Sequence, residues 1–238
     1  MPLRVLVTGF RPWNHVQYNP TQVVVERLRG QTLNGQDHGA PHAGRVHGLV
    51  LDVAWGPGTD GRGQSVRAAA AALALEVAEI EPQIIVSFGV IPDEPDAFDV
   101  ETVAEDDVGG VDVRGVERPR APRHPGEPRR APLTLPAQRI VTAMRRDGLQ
   151  AKSDPGLGNY LCETIAYEGA RLTRQSRGFT LASGFIHVPN PLFKAAGRYD
   201  VDPTTLDAAQ RLVFEASEAA VVRGARIAVE VALGSLPP

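Results

Sequence analysis

Apolar runs bounded by glycine and proline dominate the pattern of this chain and predict its strands. Residues 3–8 form a short β-branched run that ends at Gly9, and residues 84–88 are apolar apart from one serine. A continuously apolar run of this length is typical of a parallel strand covered on both faces. Residues 45–55 and 179–188 also have strand character. We therefore expect a mostly parallel sheet with residues 84–88 near its centre.

Helical patterns fill most intervals between these strands. These patterns predict five helices, at residues 21–29, 65–80, 137–147, 160–173 and 204–234, of which the second is rich in alanine. Residues 98–105 alternate with period two, and residues 111–113 follow two glycines, so the pair is expected to form an antiparallel hairpin. Residues 149–152 are a weaker strand. Strands that alternate with helices, plus one hairpin, predict an α/β fold, a three-layer α/β/α sandwich with a mixed, mostly parallel central sheet.

Composition favours one domain and argues against several classes of partner. The 238 residues are 42% hydrophobic and 22% charged, which fits a single domain over residues 1–238. A net charge of -3 gives no support for nucleic-acid or membrane binding. One cysteine cannot form an internal disulfide, and the first apolar run is too short for a signal peptide or a membrane span. We therefore expect a cytoplasmic protein without a metal site.

Residues 118–130 differ from the rest because they are rich in proline and arginine. Such a segment is expected to be a mobile surface loop. Its five arginines leave open an interaction module for an acidic partner, although no aromatic residues interleave them. Residues 56–61 also fit the GxGxxG pattern between a strand and a helix, which leaves a nucleotide-binding protein as another alternative.

Cys162 is the only cysteine, and it is a candidate nucleophile. Asn159 can cap a helix that would hold the sulfur in its first turn, where the helix dipole favours a thiolate. A nucleophilic cysteine needs a base, and His187 ends a predicted strand at the sheet edge where α/β sites lie. Glu101 is one candidate to orient that imidazole. A buried, inert cysteine and a structural histidine remain the simpler interpretations of either residue alone.

Together these residues resemble the pyroglutamyl peptidase I family, which are cysteine peptidases of the C15 type. Four segments carry the resemblance: residues 5–13 with Asn19-Pro20-Thr21, residues 98–104, residues 158–162, and residues 184–189. The order of Glu101, Cys162 and His187 also agrees with the family. The resemblance spans nearly the whole chain.

The resemblance implies an activity and a set of site residues. The reaction is removal of an N-terminal pyroglutamyl residue from a peptide through a thioester, without a cofactor. Cys162 would be the nucleophile, His187 the base and then the acid, and Glu101 its orienting partner. Phe10 and Trp13 would flank the lactam ring. Substrate binding would also involve Asn19, Val90 and Arg114, and the resemblance implies a homo-oligomer, a tetramer.

Several positions depart from the family pattern. Asn14-His15 stand where the family usually has Gly-Gly, Val90 replaces the usual glutamine, and Glu163 follows the cysteine where asparagine is common. The arginines near the glutamate are absent, and Arg114 is the nearby cation. These departures leave a catalytically impaired relative as a further alternative.

Overall fold

The computed structural model describes residues 2–13, 16–35, 42–91, 93–94, 96–156, 158–176 and 178–237. Within them the strands are β1 Leu3–Phe10, β2 Thr32–Asn34, β3 Ala43–Leu51, β4 Gly58–Thr59, β5 Ser65–Val66, β6 Ile84–Val90, β7 Phe98–Glu101, β8 Val103–Glu105, β9 Val108–Val111, β10 Glu117–Ala121, β11 Arg130–Pro132, β12 Ala151–Asp154 and β13 Ala182–Val188. The helices are α1 Pro20–Leu28, α2 Ala69–Ile80, α3 Ala137–Arg146, α4 Leu161–Gln175, α5 Pro191–Ala196 and α6 Ala208–Leu233, with a 3-10 turn at Pro203–Thr205.

A seven-stranded sheet in the order β12-β7-β13-β6-β1-β3-β2 forms the middle layer. Four of its pairings are parallel, whereas β13 with β7 and β2 with β3 are antiparallel. Every residue of β6 and of β13 is buried, as expected for strands covered on both faces. The predicted α/β fold with a mixed, mostly parallel sheet is confirmed.

Two cores lie on opposite faces of this sheet. On one face α1, α3 and α6 pack over side chains such as Val86, Val100 and Ile186. On the other face α2 and α4 cover Leu6, Ile85 and Phe185. Because successive side chains of a strand point to opposite faces, β13 sends Ile186 to the first core and Phe185 to the second. The three layers follow from this alternation.

A β-hairpin is present as predicted, but residues 98–105 and 111–113 do not pair with each other to form it. Instead, β7 joins the central sheet between β12 and β13, β8 pairs with β11, and β9 pairs with β10. The period-two pattern of β7 suggested one solvated face, but all four of its residues are buried. Its polar members, Asp99 and Glu101, lie inside the protein, which composition alone does not reveal.

The prediction of a mobile loop at residues 118–130 is also wrong. Its two ends form β10 and β11, and its middle is held by ion pairs to buried carboxylates. Arg123 and His124 contact the Glu168 side chain at 3.0 and 2.7 Å, and their backbone N–H groups donate to Asp106. Paired and hydrogen-bonded charges can be buried, so a charged segment is not necessarily mobile.

Three helices begin later than predicted, because a strand pairing precedes the helix or a different residue forms the N-cap. The helix expected from residue 65 begins at Ala69 because β5 pairs with β4. This small hairpin includes part of the GxGxxG segment, so the direct strand-to-helix turn that a nucleotide site requires is not formed. Tyr160, not Asn159, is the N-cap of α4, and it makes no side-chain cap hydrogen bond. The last helix begins at Ala208, where Asp207 and Gln210 form a capping box.

Candidate active site

Cys162 is the second residue of α4 and is partly exposed. Its sulfur lies directly over β6 at Gly89. A Cβ atom built on Gly89 would be 2.9 Å from the Cys162 sulfur and 2.6 Å from a ring carbon of Phe185. The missing side chain at Gly89 therefore allows the first turn of α4 to approach the sheet.

His187 lies on the neighbouring strand beside this glycine. In the parallel β13–β6 pair, His187 is the register partner of Gly89, and adjacent strands are about 4.8 Å apart. The imidazole packs edge-to-face on Phe185, with ring centroids 5.1 Å apart. Phe185 also contacts the position under the sulfur. The imidazole and the sulfur therefore lie on the same face of the sheet, near the carboxyl ends of β13 and β6.

Glu101 reaches the same imidazole from the antiparallel strand β7. Its Oε1 atom is 2.9 Å from His187 Nδ1, and both side chains are almost fully buried. An Nδ1–H group that donates to the carboxylate fixes the tautomer and leaves Nε2 for proton transfer. Glu101 and His187 are thus in direct contact, and Cys162 lies over the register partner of His187 on the same face of the sheet.

Burial disfavours the charged forms of the thiol, the imidazole and the Glu101 carboxyl group. It raises the pKa of the Cys162 thiol to about 12, and the neighbouring Glu163 and Glu101 carboxylates add to the effect. Burial also raises the pKa of Glu101, with further contributions from Asp99, Asp154 and Glu163. The pKa of His187 is lowered by the same desolvation and, to a smaller extent, by the charge of Lys152. Desolvation therefore favours a neutral thiol and a neutral imidazole over a thiolate–imidazolium pair.

A small cavity opens beside the sulfur. Cys162, Phe10, Trp13, Asn19 and Val90 line it, together with Val53, Tyr160 and Leu161. Four residues expected to bind substrate thus share one cavity with Cys162. Its volume is about 20 Å³. A larger cavity of about 280 Å³ is also lined by Trp13 and Val53.

Asn19 has a structural duty in addition to its place at the cavity. It is the N-cap of α1, where its Oδ1 accepts from the Thr21 N–H, and its Nδ2 donates to the Arg11 carbonyl. Thr21 in turn donates its hydroxyl to Asn19 and accepts the Phe10 N–H. This network fixes the loop that carries the two aromatic walls.

Arg114 lies away from the cavity beside the sulfur. Its guanidinium pairs with the buried Asp112 at 2.8 Å and donates to the Pro57 carbonyl. Asp112 also accepts the Trp55 N–H. These contacts tie the β9–β10 hairpin to the loop after β3. Asn14 and His15, where the family usually has Gly-Gly, lie outside the described residues.

Sequence reasoning missed three wall residues and one ion pair. Tyr160 and Leu161 immediately precede the cysteine, so their proximity could have been inferred, whereas Val53 carries no signal. Lys152 binds Asp99 at 3.1 Å beside Glu101, and nothing in the sequence indicates that pairing. In the part of the chain that the structure describes, no three His, Cys, Asp or Glu side chains group into a metal site. None of the helices described is long and apolar enough to cross a membrane.

A cysteine at a helix start, a histidine and a glutamate at one edge of an α/β sheet define a site of the cysteine-peptidase class. The family model described as pyroglutamyl peptidase, peptidase family C15, matches residues 63–233. The chain belongs to the pyroglutamyl peptidase family.

Relatives of known name agree over the whole length. The chain is 28% identical to the pyrrolidone-carboxylate peptidase of Pyrococcus furiosus, over 98% of this chain and 100% of that protein. It is also 28% identical to the Klebsiella pneumoniae protein of the same name, over 97% and 96%. Among solved structures, a mutant pyrrolidone carboxyl peptidase of P. furiosus matches with a TM-score of 0.76 and 26% identity, covering 99% of this chain and 100% of that chain.

Proposed function

We propose that this chain is a cysteine exopeptidase that removes the N-terminal pyroglutamyl residue from peptides through a thioester intermediate. The observation that carries the proposal is the 2.9 Å contact between Glu101 and His187 beside the Cys162 sulfur. Family membership supports the substrate class. The apolar and aromatic walls beside the sulfur suit a flat, uncharged lactam ring.

Acylation begins when the Cys162 sulfur attacks the carbonyl carbon next to the lactam ring. The thiol proton passes to Nε2 of His187 as the carbon–sulfur bond forms, and the Glu101 carboxylate stabilises the imidazolium. The imidazolium then protonates the leaving amine as the carbon–nitrogen bond breaks. Backbone N–H groups at the start of α4, including that of Cys162, are placed to stabilise the oxyanion.

Deacylation uses the same residues in reverse. A water gives a proton to His187 and attacks the thioester carbon. The carbon–sulfur bond then breaks, and the sulfur takes that proton back, which regenerates the thiol and releases pyroglutamate. Because desolvation favours the neutral thiol and the neutral imidazole, proton transfer accompanies sulfur attack.

Substrate entry requires a wall of the cavity to move. A volume of about 20 Å³ holds about one water, which is less than a five-membered lactam needs. Trp13 lines both this cavity and the larger one, so we propose that displacement of its half-buried side chain makes room for the ring. Binding therefore includes a local rearrangement at Trp13.

The proposal also covers the oligomeric state and the cellular location of the protein. We propose a homo-oligomer, with a tetramer implied by family resemblance, that works in the reducing cytoplasm because the mechanism needs a reduced thiol. Light scattering coupled to size exclusion measures the assembly. Activity that survives dialysis against a chelator is expected, since no step uses a metal.

The experiment compares pyroglutamyl-aminocoumarin with prolyl-aminocoumarin, using the wild-type chain and the Cys162→Ala and Cys162→Ser variants. Only the wild type should release fluorophore, and only from the pyroglutamyl substrate. Cys162 is the only cysteine, so alkylation with iodoacetamide should abolish that activity and add the mass of one alkyl group to the protein. An inactive wild type would support the impaired relative, and full activity after complete alkylation would exclude the cysteine mechanism.

A further inference from the structure

Lys152, Asp99 and His187 form a row across three neighbouring strands. Lys152 is the register partner of Asp99 in the parallel β12–β7 pair. Asp99 is the register partner of His187 in the antiparallel β7–β13 pair. Register partners point to the same face of a sheet, so all three side chains lie on the face that carries Cys162. Asp99 is therefore flanked by an ammonium group on one side and the imidazole on the other.

This arrangement gives the imidazole two neighbouring carboxylates. Side chains that are directly opposite in an antiparallel pair have Cβ atoms about 4.5–5.5 Å apart, so Asp99 is within range of His187. Glu101, two residues further along β7, makes the 2.9 Å contact with Nδ1. The Asp99 carboxylate instead contacts Lys152 Nζ at 3.1 Å. Lys152 draws this carboxylate toward β12.

The surroundings of Glu101 are otherwise acidic. Asp99 lies on its own strand, Asp154 on β12 and Glu163 on α4, and each raises the Glu101 pKa after the larger effect of burial. On β13 its partner is His187, whose neutral form is favoured by desolvation. Lys152 is the cation whose charge opposes this rise. Glu101 must be ionised to accept the Nδ1 proton and to stabilise the imidazolium.

We propose that Lys152 is a positioning residue of the catalytic site: by binding Asp99 it keeps that carboxylate from His187 and preserves the ionised Glu101 as the partner of the imidazole. This inference rests on the proposed peptidase function. Exposed ion pairs usually contribute little to stability. This pair differs because only 8% of the Asp99 side chain is exposed, while the Lys152 side chain is 52% exposed.

The chain offers a matched control for this test. Lys152 and Lys194 are its two lysines. Lys194 also pairs with an aspartate, Asp96, at 2.9 Å, but both side chains are largely exposed. Lys194→Met therefore removes a lysine–aspartate pair outside the row of Lys152, Asp99 and His187. Lys152→Met removes the pair beside Glu101, and Lys152→Arg keeps the charge.

The experiment measures kcat/KM for pyroglutamyl-aminocoumarin against pH. Lys152→Met should move the acid limb upward by about one pH unit, which lowers kcat/KM about tenfold on that limb. Lys152→Arg should restore most of the wild-type profile, and Lys194→Met should not move it. Asp99→Asn should move the limb downward, and combined with Lys152→Met it should return the limb close to that of the wild type.

Nitrogen-15 NMR of histidine-labelled protein gives a readout that needs no substrate. It reports the pH at which His187 adopts the Nδ1–H tautomer, and Lys152→Met should raise that midpoint in parallel with the acid limb. If the acid limb and the tautomer midpoint of Lys152→Met match those of Lys194→Met, the inference is overturned. It is also overturned if adding Asp99→Asn fails to reverse the shift caused by Lys152→Met. A wild type without peptidase activity would refute the proposed function alone, because the tautomer midpoint still decides the role of Lys152.

Discussion

Gly89→Ala should disable the site by displacing the nucleophile. The new methyl carbon would be 2.9 Å from the Cys162 sulfur and 2.6 Å from Phe185 Cζ. Carbon contacts are most favourable at about 3.5–4.0 Å, so the sulfur must retreat by roughly 0.6–1 Å. A misplacement of about 1 Å costs about 100-fold in rate. Overpacking of this kind also costs about 1–3 kcal/mol in the free energy of unfolding.

Two glycine variants separate displacement of the sulfur from loss of stability. Gly184→Ala creates a clash of similar severity, 2.7 Å from Leu135, on the opposite face of the sheet. Gly169→Ala lies within α4 and meets Ser183 at an ordinary 3.7 Å. The assay is kcat/KM for pyroglutamyl-aminocoumarin together with thermal unfolding. Gly89→Ala and Gly184→Ala should both lower Tm, but only Gly89→Ala should lose about 100-fold in kcat/KM.

A Gly89→Ala protein that keeps kcat/KM within about threefold of the wild type would show that the sulfur is not displaced, since a displacement of about 1 Å should cost far more. An equal activity loss in Gly184→Ala would assign the effect to general destabilisation. Gly169→Ala should be active and at least as stable as the wild type, because alanine is favoured over glycine in a helix by about 1 kcal/mol.

Three further predictions test the electrostatics. Glu101→Gln keeps the shape but removes the charge that stabilises the imidazolium, so kcat/KM should fall about 10²–10⁴-fold; a fall under about tenfold would contradict its role. Because burial raises the Glu101 pKa and the carboxylate is the active form, activity should be gained as pH rises through that raised value. The acid limb should therefore lie well above the ordinary glutamate pKa of about 4.3, and a limb near that value would disprove it. Arg114→Ala leaves the Asp112 charge buried and should lower unfolding stability by about 3 kcal/mol in denaturant titrations; an unchanged stability with a raised KM would instead indicate direct substrate contact.

The core strands could be predicted because the apolar pattern that specifies them lies in neighbouring residues. β1 and β6 are short apolar runs in which nearly every residue is buried, and such runs have few alternatives to a covered parallel strand. The placement of Cys162 in the first turn of a helix was also predictable. The helix start was not, because Tyr160 rather than Asn159 occupies the cap.

The predictions failed in two segments whose polar residues bind partners from elsewhere in the chain. β7 has the alternation of a half-exposed strand, yet its polar side chains face Lys152 and His187 inside the protein. Residues 118–130 have the composition of a mobile loop, yet Glu168 and Asp106 hold them. In both segments the partner that makes burial possible comes from a distant part of the chain.

The α/β layers can be derived from the amino-acid sequence, as can a glutamate, a cysteine and a histidine in the order typical of the family. The fold is needed to show that Gly89 admits the sulfur, that Glu101 rather than Asp99 contacts His187, and that Arg114 binds Asp112. Apolar periodicity is written into neighbouring residues, so local sequence reveals it. The partner of a buried charge is chosen by strand order and register, which depend on the whole chain.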